Sequence, residues 1–595
     1  DLPAGPVTGA AVVPDLLGAG RAEALARALA PLRDATPGTT GDGIPDHVRL
    51  VELLAEHTGV DAVDPASLIA GWRRSGRSAR ALLGVGRDGP VTPDLRHDGP
   101  HVLVAGTTGA GKSELLQTLI ASLAVANRPD ELTFLLVDYK GGAAFADCAR
   151  LPHTVGLVTD LDEHLTRRAL ASLTAEIRRR ERLLAAAGAA DLQAYQASAP
   201  VEPLPRLVIV VDEFRVLAEE LPDFVSGLVR LAAVGRSLGL HLVLATQRPA
   251  GVVGADIAAN VNLRIALRVR DRADSTDVVE APDAAAIDPR RPGRAVARTG
   301  SGPLLEFQTA RVSGQPPATR TRREPTVRRE PWLPPAHGPE REAAPAAATT
   351  GTTDLALVVE ALAEAAQRCG VRPPRRPWVP PLPERLDRRA VTDAGGPPAD
   401  DHLALGLRDE PAQQRQRPAV LRLRPGTALA VVGTTRSGRS GVLAAVAAAA
   451  AEHAPSRVHL YALASSTAVL AGLDRLPHTG AVVGRDEPER MTRLLRRLAA
   501  EVEARRAAPP DVVATAPAVV LLVDGWEAVQ QALEDAEHAA GMEHLLRVVR
   551  EGPAVAVSTV VTGDRTLLTG RVAAALGERL LLRVADPTDA VLAGV

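Results

Sequence analysis

Beyond residue 100 the chain alternates between short, uninterrupted apolar runs and longer stretches whose apolar residues recur at helical spacing. The apolar runs are Val102–Ala105, Thr133–Val137, Leu207–Val211, His241–Ala245 and Leu263–Val269. Each has strand length and no polar face, which predicts strands buried on both sides. Interleaved with helices, they predict an α/β domain in which a parallel sheet is flanked by helices. Residues 1–95 read differently. Arg21–Leu32 and Asp46–His57 carry helical periodicity, and Asp64-Pro65-Ala66 has the form of a helix start, so this part is expected to be a helical lead-in.

The alternation stops at residue 313. Pro316, Pro317, Pro331, Pro334, Pro335 and Pro345, with Arg-Glu clusters between them, mark a linker over residues 313–400. It contains one helical pattern, Asp354–Arg368, followed by more proline through Pro383. Arg320, Arg322, Arg323, Arg328 and Arg329 cluster here, but Glu324 and Glu330 interrupt them, which favours a solvated tether over a nucleic-acid patch. Four segments result: a lead-in (1–95), a first domain (96–312), the linker and a second domain (401–595).

Within each domain a glycine loop stands where a strand meets a helix. Gly106-Thr107-Thr108-Gly109-Ala110-Gly111-Lys112-Ser113 follows strand Val102–Ala105 and precedes helical Glu114–Leu123, fitting the phosphate-binding pattern. Its glycines let backbone N–H groups wrap phosphates, Lys112 reaches the β- and γ-phosphates of ATP, and Ser113 ligates Mg²⁺. Downstream, the apolar run Leu207–Val211 ends in Asp212-Glu213. Asp212 is expected to orient the metal and Glu213 to polarise the attacking water. Gln247, at the tip of the run His241–Ala245, can sense the γ-phosphate; a plain strand cap is the alternative.

In the second domain Gly433-Thr-Thr-Arg-Ser-Gly438-Arg439-Ser440 repeats the loop with arginine for lysine. The pentapeptide Arg150-Leu-Pro-His-Thr154 also returns, as Arg475-Leu-Pro-His-Thr479, at nearly the same distance downstream. Two such coincidences in register identify a tandem duplication. The copy is degenerate: Val519–Val523 ends in Asp524-Gly525, and Glu527 comes two residues too late to act as the base.

Composition sharpens this picture. Lysine occurs only at Lys112 and Lys140, although Lys and Arg together number 69, so arginine has replaced lysine almost everywhere except in the loop. A compact ammonium suits that position better than a planar guanidinium. The role of Lys140 is open; Gly141-Gly142 behind it suggests a tight turn near the nucleotide. The 69 basic residues are balanced by 71 acidic ones, so no global cationic field announces nucleic acid. Aromatics at 2% leave the cores to Ala, Leu and Val. Cys148 and Cys369 match no metal spacing and read as reduced thiols of an intracellular protein. Apolar runs such as Val442–Ala451 are too short to span a bilayer, and no signal peptide opens the chain. The chain begins at Asp1 without an initiator methionine and reads as a fragment, with a membrane anchor possible outside it.

GTTGAGKSE (Gly106–Glu114), LVDYKGG (Leu136–Gly142), RLPHT (Arg150–Thr154), VVDEF (Val210–Phe214), GRSLGLHL (Gly235–Leu242) and ATQRP (Ala245–Pro249), in that order, strongly resemble the FtsK/SpoIIIE ATPases. Within them the chain looks closest to the EccC-type ATPases of type VII secretion. The resemblance covers residues 40–312 well and 355–595 more loosely. It implies tandem RecA-like P-loop domains, each binding nucleotide against a neighbouring module or subunit, and a ring-forming oligomer. It also implies an arginine finger supplied in trans, with Arg168 and Arg236 as the candidates. Gly433, Gly438, Arg439, Ser440 and Asp524 then form a degenerate second site, a regulatory or docking partner of the first.

The function so implied is an ATP-hydrolysing motor for protein secretion, active in the first domain only. Its expected partners are secreted helical hairpins and membrane-embedded secretion components, and its place is the cytoplasm at the inner face of the cell membrane. One rival is a double-stranded DNA translocase gripping phosphates through Arg264, Arg268, Arg270 and Arg272. Another is a nucleotide-gated scaffold whose second domain recognises a helical signal.

Overall fold

The computed structural model describes residues 18–29 and 43–594, apart from 76, 139–142, 160–162, 199, 201, 221, 223–225, 229–234, 249–260, 316–351, 396–398, 467–469, 471 and 536–539. Lys140 with its two glycines, and the arginine cluster from Arg320 to Arg329, lie outside the described residues. The chain divides into two compact units, Asp1–Trp378 with Pro411–Gln414, and Val379–Glu410 with Arg415–Val595.

The first unit is built on one ten-stranded sheet. Its strands are β1 (Gly84–Gly86), β2 (Gly89–Val91), β3 (His101–Ala105), β4 (Leu132–Asp138), β5 (Thr154–Thr159), β6 (Arg206–Asp212), β7 (Leu240–Thr246), β8 (Leu263–Leu267), β9 (Arg294–Thr299) and β10 (Leu305–Thr309). They lie in the order β2-β1-β10-β9-β8-β3-β7-β6-β4-β5. The five strands foreseen from the sequence, together with β5, form the parallel part, and β3, β4, β6 and β7 are buried along their whole length. The sheet is therefore mixed rather than purely parallel, because β9, β10, β1 and β2 extend it antiparallel beyond β8.

Alternate side chains of the parallel strands serve two cores. Val102 and Val104 face one core with Leu115 and Leu119 of helix Lys112–Ala126. Leu103 and Ala105 face the other with Leu173 and Leu184 of helix Glu163–Ala186.

Packing does not follow the boundaries expected at residues 95 and 313. Leu50, Leu53, Leu68, Trp72 and Leu83 from the lead-in share the first core with Leu355, Val358 and Leu362 from the linker helix. That helix spans Asp354–Arg368 as foreseen, capped by Thr353, whose hydroxyl accepts the Ala356 N–H at 3.1 Å. Asp354, 1% exposed, takes a fork of hydrogen bonds from Arg49 at 2.8, 2.9 and 3.1 Å. Lead-in and linker helix thus close one apolar face that neither could bury alone. Helix Pro65–Ser75 starts where expected, with Asp64 accepting from the N–H groups of Ala66 and Ser67.

The second unit has a two-stranded ribbon, β11 (His402–Glu410) and β12 (Arg415–Arg422), and a six-stranded sheet. The sheet contains β13 (Ala428–Val432), β14 (Val458–Ala464), β15 (Thr479–Gly484), β16 (Ala518–Asp524), β17 (Val557–Gly563) and β18 (Glu578–Leu581), in the order β15-β14-β16-β17-β13-β18. This matches β5-β4-β6-β7-β3-β8 strand for strand.

The repeated pentapeptide proves to be a structural device. His153 Nε2 meets the Asn127 carbonyl at 2.8 Å, and His478 Nε2 meets the His453 carbonyl at the same distance. Each ties the sheet to the end of the helix that follows the glycine loop. Burial holds the His153 pKa down at about 4, so the ring is neutral. Arg180 and Arg505 form a second such pair. The former donates to the carbonyls of Leu238 and Pro205, the latter to those of Val555 and Pro517.

Candidate nucleotide site

Parallel registry brings the ends of β3, β4, β6 and β7 to one edge of the sheet, with Ala105 beside Thr246 and Asp138 beside Asp212. Whatever follows those strands must gather there. From β3 the chain turns through Gly106–Gly111 into helix Lys112–Ala126. Gly111 has φ +102, and a Cβ there would stand 3.0 Å from the Gly293 nitrogen, so only glycine fits. No side chain caps this helix start, which leaves its N–H groups to an anion. Thr107 fixes the loop: its N–H and hydroxyl donate to the Arg268 carbonyl at 2.9 and 3.0 Å.

Lys112 lies across the loop from β6. It is 6% exposed, and its Nζ contacts the Asp212 carboxylate directly and Glu213 at 3.4 Å. Burial raises the Asp212 pKa, opposed by the Lys112 charge and hydrogen bond. Glu213 is held in left-handed backbone at φ 55, and its N–H donates to Asp212 Oδ1 at 2.8 Å. A non-glycine residue in that region stores strain.

Gln247 joins the two halves of the site. Its Nε2 donates to Glu213 Oε1, while its Oε1 accepts the Thr108 hydroxyl at 3.0 Å. One amide therefore touches both the phosphate loop and the glutamate, which is more than a strand cap does. Nothing in the sequence announced the Thr108 contact.

Ser113 is exposed at the helix start. Among the described residues no group of three or more His, Cys, Asp or Glu side chains forms a metal cage. A site with few protein ligands suits Mg²⁺, which takes most of its ligands from phosphate and water. Arg168 lies half-buried on helix Glu163–Ala186. Arg236 is exposed and lines a cavity with Arg206 and His241, where β6 and β7 begin, at the opposite edge of the sheet from Lys112.

The second unit keeps the loop and changes the chemistry. Gly438 has φ 104, and Thr434 donates its N–H and hydroxyl to the Arg583 carbonyl at 2.9 and 3.1 Å. Arg439, however, donates to Glu527 at 3.2 Å, from a helix spanning Trp526–Asp535. Both oxygens of Asp524 accept serine hydroxyls, from Ser440 at 3.0 Å and Ser465 at 2.8 Å. Gly525, φ 72, holds the position of Glu213.

The description of the FtsK/SpoIIIE family fits residues 69–251 and again residues 399–593. The type VII secretion system protein EssC of Staphylococcus aureus (strain MRSA252) is 32% identical over 562 residues, covering 88% of this chain and 37% of its own length. The chain thus spans little more than a third of that relative. Among solved structures, the cytoplasmic domain of the Thermomonospora curvata type VII secretion ATPase EccC matches with a TM-score of 0.73 at 29% identity, over 91% of this chain and 63% of that one. Thermomonospora curvata EccC (ATPases 2 and 3) in complex with a signal sequence peptide shares the fold at TM-score 0.55 and 22% identity, over 87% and 88% of the two chains.

Proposed function

Because the chain belongs to the FtsK/SpoIIIE family, we propose that it is part of an ATP-driven translocation motor for type VII-like protein secretion, hydrolysing ATP in the first unit only. The carrying observation is the cluster at one sheet edge: Lys112 against Asp212 and Glu213, with Gln247 joined to Glu213 and to the loop. Lys112 is the counter-ion of both carboxylates. Phosphates entering the loop compete for that ammonium, and its transfer to them releases Glu213. Glu213 is then free to orient a water in line with the γ-phosphate and take its proton. Gln247 shifts with it, so the loop registers whether γ-phosphate is present. Ser113 and Asp212 are the residues that would hold Mg²⁺, which would supply charge neutralisation on the phosphates.

The second unit offers no glutamate at the corresponding position and caps Asp524 with serines, which supports a weak or non-hydrolysing partner. Assembly into a ring, an arginine finger from Arg168 or Arg236 of a neighbouring module, and work at the inner face of the membrane through secretion partners complete the reading. Secreted helical hairpins are its proposed cargo, in line with the signal-peptide complex of the Thermomonospora relative. DNA is the less favoured cargo: Arg264, one of the arginines that would grip it, is tied to Glu280 at 2.7 Å.

The test is steady-state ATP turnover by this chain, with and without duplex DNA and with helical-hairpin substrates. Turnover abolished by Lys112→Ala and stimulated by the hairpins is expected. Salt-sensitive stimulation by DNA alone would overturn the cargo, and turnover intact in Lys112→Ala would overturn the site.

A further inference from the structure

The first unit carries a cavity of about 730 Å³ away from the phosphate loop, of whose lining the nucleotide reading draws only on Arg236, as a finger candidate. It opens where β6 and β7 begin, the sheet edge away from the phosphate loop, and Arg96, Arg206, Arg236, His97 and His241 line it. Arg206 sits at its floor. This side chain is 6% exposed, yet no carboxylate of the described residues pairs with it, and its Nε has no hydrogen-bond partner among them. Its NH1 faces His241 Nε2 at 3.4 Å.

The histidine cannot neutralise it. His241 Nδ1 lies 3.0 Å from the Pro100 carbonyl, which only accepts, so Nδ1 carries the proton and Nε2 offers its lone pair to Arg206. Burial and the Arg206 charge push the His241 pKa down to about 3. The nearby acids are engaged elsewhere. Asp191 accepts the Ala194 N–H at 2.8 Å as a helix cap, and Asp94 binds His97 at 3.1 Å and the N–H of Arg96 at 2.8 Å. The Arg96 guanidinium is held by the neutral amide oxygen of Gln193. Burial, with the Arg96 charge adding to it and the charges of Asp94 and Asp191 opposing it, brings the Arg206 pKa down to about 10.

The second unit forms the same strand order without this arginine. Strand β16 opens with Ala518 where β6 opens with Arg206, and Ser558 takes the place of His241. The carbonyl-clamping arginines, by contrast, recur as Arg180 and Arg505. Duplication kept the arginine that holds the sheet together, while the one in the cavity belongs to the first unit alone. A buried guanidinium without an anion is unfavourable, so one retained at a cavity floor suits a ligand.

We propose that this cavity is a binding site for a small phosphate-bearing ligand, with Arg206 at its floor and Arg96 and Arg236 at its walls. Guanidinium forks match phosphate oxygens in pairs, and three arginines against a single lining carboxylate, Asp191, suit a dianion better than a monoanion. The volume is ample for a group of nucleotide size. Arg206 lies too deep to act as a finger on another subunit's nucleotide.

The test is calorimetric titration of inorganic phosphate into the whole chain with the phosphate loop saturated by Mg·ADP, repeated in Lys112→Ala. Saturable binding is expected in both backgrounds, so it does not depend on the nucleotide reading. Arg206→Met and, separately, Arg236→Ala should each weaken it by roughly tenfold or more, the loss of a charge-assisted hydrogen bond. Arg236 is exposed, so its variant reports even if the buried substitution impairs folding. Without phosphate, Arg206→Met should raise the Tm. Phosphate binding unchanged in both variants, absent in the wild type, or matched by acetate would overturn the proposal.

Discussion

The two glycine loops differ in almost nothing that makes them loops and in most of the side chains gathered around them. Gly111 and Gly438 share φ near +103 (102 and 104), and Thr107 and Thr434 anchor their loops to the same strand-end carbonyl, of Arg268 and Arg583. Around Lys112 two carboxylates and an amide converge. Around Arg439 the carboxylates are dispersed, one to a helix and one to two serines. Backbone geometry set by glycines and main-chain hydrogen bonds is therefore common to two loops whose side-chain surroundings differ.

The hardest blow to that contrast comes from Lys112→Ala and Glu213→Gln. Lys112→Ala should abolish turnover, and Glu213→Gln should lower it by about 10² to 10⁴, the range for losing a positioned acid–base group. They should separate in a nucleotide-binding titration: Glu213→Gln keeps ATP affinity, whereas Lys112→Ala loses it. Turnover persisting in both would move hydrolysis to the second unit and reverse the comparison.

Restoring the lost glutamate should fail. A Cβ built on Gly525 stands 2.9 Å from Ser465 Cβ, so Gly525→Glu must displace the serine that caps Asp524. Overpacking of this kind costs about 1–3 kcal/mol. The double variant Gly525→Glu, Arg439→Lys is expected to unfold earlier in denaturant and to add no turnover to a Lys112→Ala background. Recovered hydrolysis would mean that the second unit lost only two side chains and not the space for them.

The reverse exchange has the opposite sign. Glu213 bears left-handed backbone strain on the order of 1 kcal/mol, and it crowds a second carboxylate beside Asp212 with one lysine between them. Glu213→Gly should therefore raise stability by roughly 1 kcal/mol while abolishing hydrolysis. Paired chemical denaturation and turnover measurements check it. A fall in stability would show that the glutamate's bonds to Lys112 and Gln247 outweigh the strain.

What the sequence allowed one to read follows the same division. Strands β3, β4, β6, β7 and β8 were legible because both their faces are buried and their residues are uniformly apolar. The added edge was not. β9 (RAVART) and β10 (LEFQT) carry an arginine and a glutamine whose burial depends on each other: Arg294 Nε donates to Gln308 at 3.2 Å across the two strands. The β1–β2 hairpin did leave a signal, Asp88-Gly89 between short runs, but three-residue strands lie below what periodicity can detect. The helix Asp354–Arg368 was plain, whereas its home was not, since an apolar stripe says that it is covered and not by what. At the site, Lys112, Asp212 and Glu213 announced themselves by motif. Gln247's bond to Thr108 and the reach of Glu527 back to Arg439 did not, because both depend on where loops and helix turns come to rest in space.

The smallest expected effect tests the subtlest part of the comparison. Arg439 is bound to Glu527 at 3.2 Å, with the two side chains 21% and 35% exposed. Solvent screens such a pair, and pairs of this kind contribute about 0.2–1 kcal/mol at most. Arg439→Ala should then change turnover by less than about twofold and stability by under about 1 kcal/mol. Arg439→Lys, which restores the family's lysine, should do no more: with Gly525 in place, a lysine has no glutamate at the position of Glu213 to pair with or release. If Arg439→Ala instead altered turnover at Lys112 strongly, the degenerate loop would be transmitting its state to the competent one. The two loops would then be halves of one switch rather than a working site and its remnant.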